Sequence, residues 1–464
     1  MKKIITTLAL ASAAFTSQAQ VPASLSARLQ QVLDSVAAKY KFKGLSAAVS
    51  YKNTGIWTAA TGISDATTPL APNMLIGIGS NTKTFVSTLI LKFVESGKVN
   101  LEDTIGTWIQ GYNNIPGNVT LRQVLNHTSG IASYTDNPAY NNALVADLDH
   151  MWTNSEVLQG FVLAPNFAPG TKWSYSNTNY IIASVIAEQI GGKPVYQLIR
   201  DSILTPQNLQ HTLMPPFETT TDTYAHFWSN QHGTPALDEA ANWNDPNFNG
   251  LPAAINSSVG GAGAMVSTAE DNVNFWKALM TGQIISKATL NNQMLKWTGF
   301  GNTFSDYGLG VFYYRVLNRP AVSHGGTWVG QINENLSDTA SNIYVTVLSN
   351  QDSLQNEFVD IAVTALYRTA LNHNPTLSVA DIVDNPSIRC YPNPASNQLK
   401  LELTDQQPET AVIMDITGKV WHTQAITPGT KSATIDLANL ADGLYILTLK
   451  GENSLSQTRF TVVH

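Results

Sequence analysis

Residues 76–98, "IGIGSNTKTFVSTLILKFVESGK", begin as a short β-like run and break into a helix, with Ser80-Asn81-Thr82-Lys83 at the break. Phe85, Val86, Leu89, Ile90, Phe93 and Val94 recur at helical spacing, which predicts one apolar face on a long amphipathic helix that stops at Gly97. A serine at such a junction has two readings. It is an N-cap followed by a surface lysine, or it is a nucleophile with Lys83 standing over it one turn later. A hydroxyl needs a base beside it at neutral pH, and burial lowers a lysine pKa enough for it to serve. A helix N-terminus also favours a developing alkoxide. The Ser-x-x-Lys pattern is too common to decide between them.

Working outward, Leu25, Leu29, Val32, Leu33 and Val36 predict a helix ahead of two strands, Gly44–Tyr51 and Ile56–Thr61, joined by an Asn/Gly turn at Lys52–Gly55. From about residue 98 to 300 the pattern is helical, cut by Gly/Pro/Asn loops. Strands return at Tyr307–Val316, from Ala321 through Ile332, and at Ile343–Leu348, and a closing helix is expected from about Leu354 to Leu371. Strands at both ends of a helical middle predict an α/β (α+β) fold: one antiparallel sheet built from both termini, flanked by helices, with a helical subdomain. Residues 373–388 lose periodicity and read as a linker. Beyond them, residues 389–464 alternate with the two-residue period of half-buried strands, which predicts a small C-terminal β-sandwich.

The chain has 464 residues, 43% hydrophobic and 13% charged, and a formal net charge of −7. That balance argues against nucleic acid as a partner, which requires a basic stripe. Residues 1–19 carry two lysines, a short apolar run and Ser17-Gln18-Ala19, the pattern of a secretory signal peptide cleaved after Ala19; the run is too short for a transmembrane span. The single cysteine, Cys390, cannot form an internal disulfide, and the nine histidines show no metal-ligand spacing, so neither a metal nor another cofactor is expected.

Tyr-x-Asn occurs at Tyr51, Tyr112, Tyr140, Tyr175 and Tyr391, and only context separates them. Tyr175 stands in "FAPGTKWSYSNTNY", a loop entering a helix, where a side chain can be aimed into a cleft. His324-Gly325-Gly326-Thr327 lies in a strand-like run whose glycines imply a bulge or close backbone approach; a peptide-like substrate could add to such a strand.

In this order, Ser80-x-x-Lys83, Tyr175-Ser176-Asn177 and His324-Gly325-Gly326 resemble the serine β-lactamase and penicillin-binding-protein superfamily, on its class C β-lactamase, DD-peptidase and esterase branch. "LRQVLNHTSGI" (Leu121–Ile131) and "GGAGAMVSTAEDNVNFW" (Gly260–Trp276) look like two further segments of that family, and the likeness covers roughly residues 25 to 370. It implies Ser80 as nucleophile, Lys83 and Tyr175 as proton carriers, and an oxyanion hole from the N–H groups of Ser80 and Thr327. It also implies Asn177 orienting the substrate amide and Lys83. The His127 segment reads as loop-shaping. His324 replaces the lysine usual in β-lactamases; a histidine near its ordinary pKa carries part of a positive charge, which lowers the expectation of β-lactam hydrolysis.

The implied protein is an exported serine hydrolase acting on an amide or ester, with a small-molecule or peptide substrate that could derive from peptidoglycan. A penicillin-recognising binder without turnover and a surface adhesin are the alternatives. The stretches "YPNPASNQL", Asp415–Lys419 and "LADGLYILTL" resemble the type A sorting domain of the type IX secretion system of Bacteroidetes. That likeness implies passage through the periplasm to the surface or medium, and removal of the domain is expected to leave activity intact. The run from Phe217 to Gly250 is rich in Tyr and Trp that could line a pocket or pack as core.

Overall fold

Gly44–Tyr51 and Ile343–Ser349 lie almost 300 residues apart, yet their small and β-branched side chains pair in one antiparallel ladder, Ala47 opposite Val347. The computed structural model in which this is seen describes residues 20–229, 238–239, 252–301, 305–352, 357–373, 388–403, 410–415, 420–427, 429–450 and 455–464. The expected signal peptide, most of the linker, most of 230–250 and Ile416–Lys419 therefore fall outside the described residues.

The first unit contains helix α1 (Ala23–Tyr40), strands β1 (Gly44–Tyr51) and β2 (Gly55–Gly62), and helices α2 (Thr82–Glu95), α3 (Asn177–Gly191), α4 (Ala253–Gly263) and α5 (Ala269–Thr281). Strands β3 (Ser305–Tyr307), β4 (Phe312–Val316), β5 (Arg319–Ser323), β6 (Gly326–Trp328), β7 (Gln331–Asp338) and β8 (Ile343–Ser349) follow, then helix α6 (Glu357–Leu371). Sheet order is β2-β1-β8-β7-β5-β4-β3, with β6 also paired to β7, and every pairing is antiparallel. The first hairpin turns through Lys52 in the left-handed region, φ 50°, rather than through Asn53 or Gly55.

The period-two alternation of the strands serves two cores. Leu45, Ala47, Val49, Val345 and Val347 join Leu25, Leu29, Leu33, Val363 and Leu366 of α1 and α6. Ala48, Tyr344 and Leu348 face the other way, into a larger core with Phe85, Leu89, Tyr180, Phe275 and Trp276. Both faces of the sheet are thus covered, which is why β1 is buried along its whole length.

Helix α2 departs from the amphipathic expectation. Every residue from Thr82 to Leu91 is buried, because α2 runs through the middle of the larger core. Its polar side chains are buried with partners: Thr84 Oγ1 donates to the Gly310 carbonyl at 2.8 Å, Thr88 Oγ1 to the Thr84 carbonyl at 2.7 Å, and Ser87 Oγ shares a 3.0 Å bond with Tyr180 Oη.

The second unit begins at His373. Its strands form a three-stranded sheet (Ile388–Tyr391, Gln398–Leu403, Ser432–Asp436) and a four-stranded sheet (Val420–Ala425, Thr410–Asp415, Gly443–Lys450, Leu455–Val462). Alternate residues Leu399, Leu401, Ile413, Ile435, Leu447 and Phe460 form a separate core, the sandwich that the alternation predicts.

Candidate active site

Ser80 does not cap α2. It sits one residue earlier, in a 3₁₀ turn over Gly79–Asn81, and Asn81 occupies the N-cap position without a side-chain bond. Gly79 takes φ +47°, a left-handed value that glycine adopts without strain. This turn points the Ser80 hydroxyl at Lys83, whose Nζ donates to Ser80 Oγ at 3.0 Å and to the Ala262 carbonyl at 2.6 Å. The carbonyl lies in the last turn of α4, where helix carbonyls have no partner within the helix, and α4 is kinked just before it, at Gly260 (φ 35°, ψ −123°).

Lys83 is fully buried, and loss of hydration pulls its pKa well below the usual lysine range. Its Nζ also lies 4.9 Å from the centre of the Tyr175 ring and 5.7 Å from that of Tyr180. Tyr175 Oη is buried and closes no hydrogen bond. Burial raises its pKa, with the nearby Ser80 hydroxyl pulling the other way.

Strand β6 lies against the turn that carries Ser80. A Cβ on Gly326 would collide with the Ile78 carbonyl and come within 2.7 Å of the Ser80 amide; one on Gly79 would come within 3.0 Å of the Thr327 amide. The glycines let the two backbones approach closely, so that the β6 backbone at Thr327 lies beside the turn that carries Ser80.

The strand-like run expected from Ala321 through Ile332 is instead β5, a break at His324-Gly325, and then β6. In that break His324 is 2% exposed. Its Nδ1 donates to the Gly325 carbonyl at 2.7 Å, and its Nε2 accepts from Tyr307 Oη at 3.1 Å. Burial, then the charge of Lys83, lowers its pKa to about 3. This corrects the expectation of a partly charged imidazole: His324 is neutral here and offers no cation.

Asn177 also differs from its expected part. Its Nδ2 donates to Thr135 Oγ1 at 3.1 Å and its backbone N–H to Ser133 Oγ at 3.0 Å, with no bond to Lys83. Tyr307 and the Ala262 carbonyl were not singled out in the sequence: Tyr307 stood there only as the start of an expected strand, and Ala262 lay in the Gly260–Trp276 segment with no part assigned to its backbone. Ser80, Lys83, Tyr175 and the 324–327 segment are brought together. Asn177 enters through the first residue of α3.

Residues 29–368 match the Beta-lactamase family. The chain belongs to the β-lactamase family. Residues 389–464 match the secretion system C-terminal sorting domain. Among relatives, the chain is 26% identical over 318 residues to penicillin-binding protein 4* of Bacillus subtilis, covering 65% of this chain and 66% of that one. It spans only 35% of the Salmonella relatives it also matches. Among solved structures, a D-stereospecific amidohydrolase from Streptomyces aligns with TM-score 0.62 at 25% identity, over 73% of this chain and 98% of that chain. A D-amino acid amidase from Ochrobactrum anthropi aligns with TM-score 0.65 at 23% identity, over 76% and 100%; at that identity the likeness concerns the fold. The sheet and helices described above are this β-lactamase-like fold.

Among the described residues, no group of three or more His, Cys, Asp or Glu is placed to hold a metal ion, and no helix is long and apolar enough to cross a membrane.

Proposed function

We propose that this β-lactamase-family protein is an exported serine hydrolase that acylates Ser80, with a preference for amides and esters of D-amino acids that carry no free carboxylate beside the scissile bond. The observation that carries the reading is Lys83, buried, its pKa held by burial well below the usual lysine range, and 3.0 Å from Ser80 Oγ. Neutral Lys83 takes the Ser80 proton as Oγ bonds to the substrate carbonyl carbon. The Ser80 and Thr327 amides hold the resulting oxyanion. Collapse breaks the bond to the leaving amine or alcohol, which takes a proton relayed through Lys83 and Tyr175, and water then releases the acid from Ser80. Asn177, tied to Thr135, presents its remaining amide face to the substrate.

The substrate preference rests on His324. A carboxylate on the leaving group needs a cation or dedicated donors, and both His324 nitrogens are already engaged. The name of the Streptomyces neighbour supports D-stereochemistry. For the chain as a whole, the proposed organisation is a signal peptide over 1–19, a hydrolase domain over 20–372, a linker over 373–388 and a sorting domain over 389–464. The sorting-domain match supports export by the type IX machinery to the surface or medium.

The test compares N-acetyl-D-Ala-D-Ala with its C-terminal amide. The amide is expected to turn over at least about tenfold faster, roughly one lost charge-assisted hydrogen bond. Ser80→Ala is expected to lower kcat by about 10⁴-fold or more and to abolish any acyl adduct seen by intact mass. Faster turnover of the free acid would defeat the substrate preference. Full activity in Ser80→Ala would defeat the serine mechanism.

A further inference from the structure

Tyr175 Oη closes no well-formed hydrogen bond, the Ser80 hydroxyl being the one group near enough to lower its pKa, so the aim of this side chain is set chiefly through its backbone and ring. One residue does both. The His127 carbonyl accepts from the Ser174 N–H at 3.0 Å, and His127 Nδ1 accepts from the Ser176 N–H at 3.2 Å. The neighbours of Tyr175 on either side are therefore tied to a residue 48 positions earlier. The His127 ring also lies 4.3 Å from the Tyr175 ring, tilted by 36°.

We propose that His127 is a positioning residue for the reaction: its carbonyl, its Nδ1 and its ring together hold residues 174–176 so that Tyr175 lies against Lys83 and Ser80. This rests on the reading of Ser80, Lys83 and Tyr175 as the reacting groups.

The hydrogen bonds fix the protonation state of the imidazole. Asn179 Oδ1 accepts from Ser129 Oγ at 2.8 Å, so its amide turns Nδ2 toward His127, which accepts that bond at 3.2 Å on the same Nδ1. A nitrogen accepting two donors carries no proton, so Nε2 does. Protonating Nδ1 would break both bonds, and burial beside Lys83 and His324 opposes it further. The left-handed backbone at His127, φ 62°, is the conformation in which ring and carbonyl both face the 174–176 segment; among residues with a side chain, asparagine, aspartate and histidine adopt it most readily.

Packing alone is a weak account of this residue. His127 Nε2 is buried and has no partner, in a ring surrounded by Tyr175, Tyr180 and Tyr307. An apolar side chain would fill that space without leaving a donor unbonded. What an apolar side chain cannot do is accept the Ser176 N–H.

His127→Asn and His127→Gly separate these roles in the full-length protein. Both tolerate a left-handed backbone, and both keep the carbonyl that holds Ser174. Asparagine Oδ1 sits near the place of Nδ1 and can accept from Ser176, whereas glycine leaves that donor unpaired. On N-acetyl-D-Ala-D-alaninamide, His127→Gly is expected to lower kcat about 100-fold, the scale of an ångström-sized misplacement, with little change in KM. His127→Asn is expected to recover at least about tenfold of that loss. Melting temperatures, measured alongside, show whether a loss follows the folded fraction instead. Equal kcat in the two variants, or a loss that tracks unfolding, overturns the positioning role. If Ser80→Ala is inactive while His127→Gly keeps wild-type kcat, the positioning role alone falls; if Ser80→Ala is active, the serine reading falls with it.

Discussion

Lys83 and His324 are two basic side chains in one buried cluster, and burial lowers the pKa of both. Their hydrogen bonds set them apart. Lys83 Nζ reaches two oxygens, one of them on Ser80, so a proton gained or lost there is exchanged with the nucleophile. Both His324 nitrogens are engaged away from Ser80, one with Gly325 and one with Tyr307. On the proposed mechanism, the same loss of hydration makes one group a base and makes the other an inert spacer. The lesson is that a depressed pKa assigns chemistry only when the depressed group has a reacting partner.

The largest expected effect therefore belongs to Lys83. Lys83→Met keeps the length of the side chain and removes the base, and kcat/KM is expected to fall by about 10³-fold. In the wild type, activity should rise as pH climbs through the lowered Lys83 pKa, because only the neutral amine accepts the serine proton. That limb should vanish in Lys83→Met. If Lys83→Met retains activity and the limb, the base is elsewhere and the contrast with His324 collapses.

His324→Gln is the next probe. Its Oε1 can still accept from Tyr307 Oη, while the bond to the Gly325 carbonyl is lost. The expected fall in kcat/KM is about tenfold or less, the value of one neutral hydrogen bond, with the Lys83 limb close to its original pH. A limb displaced by a pH unit or more would show that His324 carries charge during turnover.

The contrast was only half legible in the chain. Ser80 and Lys83 are three apart, and helical geometry alone brings them together. The sheet was equally readable, since strand-like runs stand at both ends of a helical middle. The neutrality of His324 follows from burial and from Lys83 beside it, and its Nε2 is occupied by Tyr307, which arrives from β3 and is set beside it by the β3–β4–β5 pairings. No local pattern encodes that bond. Asn177 is similar: its position in Tyr-x-Asn suggested Lys83, but Thr135, 42 residues away, takes its amide. The all-round burial of α2 was also hidden, because Thr84, Ser87 and Thr88 read as a polar face until their distant partners are known.

The smallest effect lies in stability. The folded pKa of His324 is about 3 and its ordinary value is 6.5, so between these values the unfolded chain binds a proton that the folded chain does not. By linkage, this group's contribution to stability falls as pH drops through 6.5 and levels off near 3. The slope from one such group is at most about 1.4 kcal/mol per pH unit. His127 acts with the same sign, since burial lowers its pKa as well, so His324→Gln should flatten the acid side of the stability curve without abolishing it. Urea midpoints of wild type and His324→Gln, taken in steps from pH 7 to pH 4, measure the difference directly. Parallel curves would mean that folded His324 takes up its proton as readily as the unfolded chain does. A charged imidazole would then stand beside Thr327, and the expected preference between the free acid and the amide would reverse.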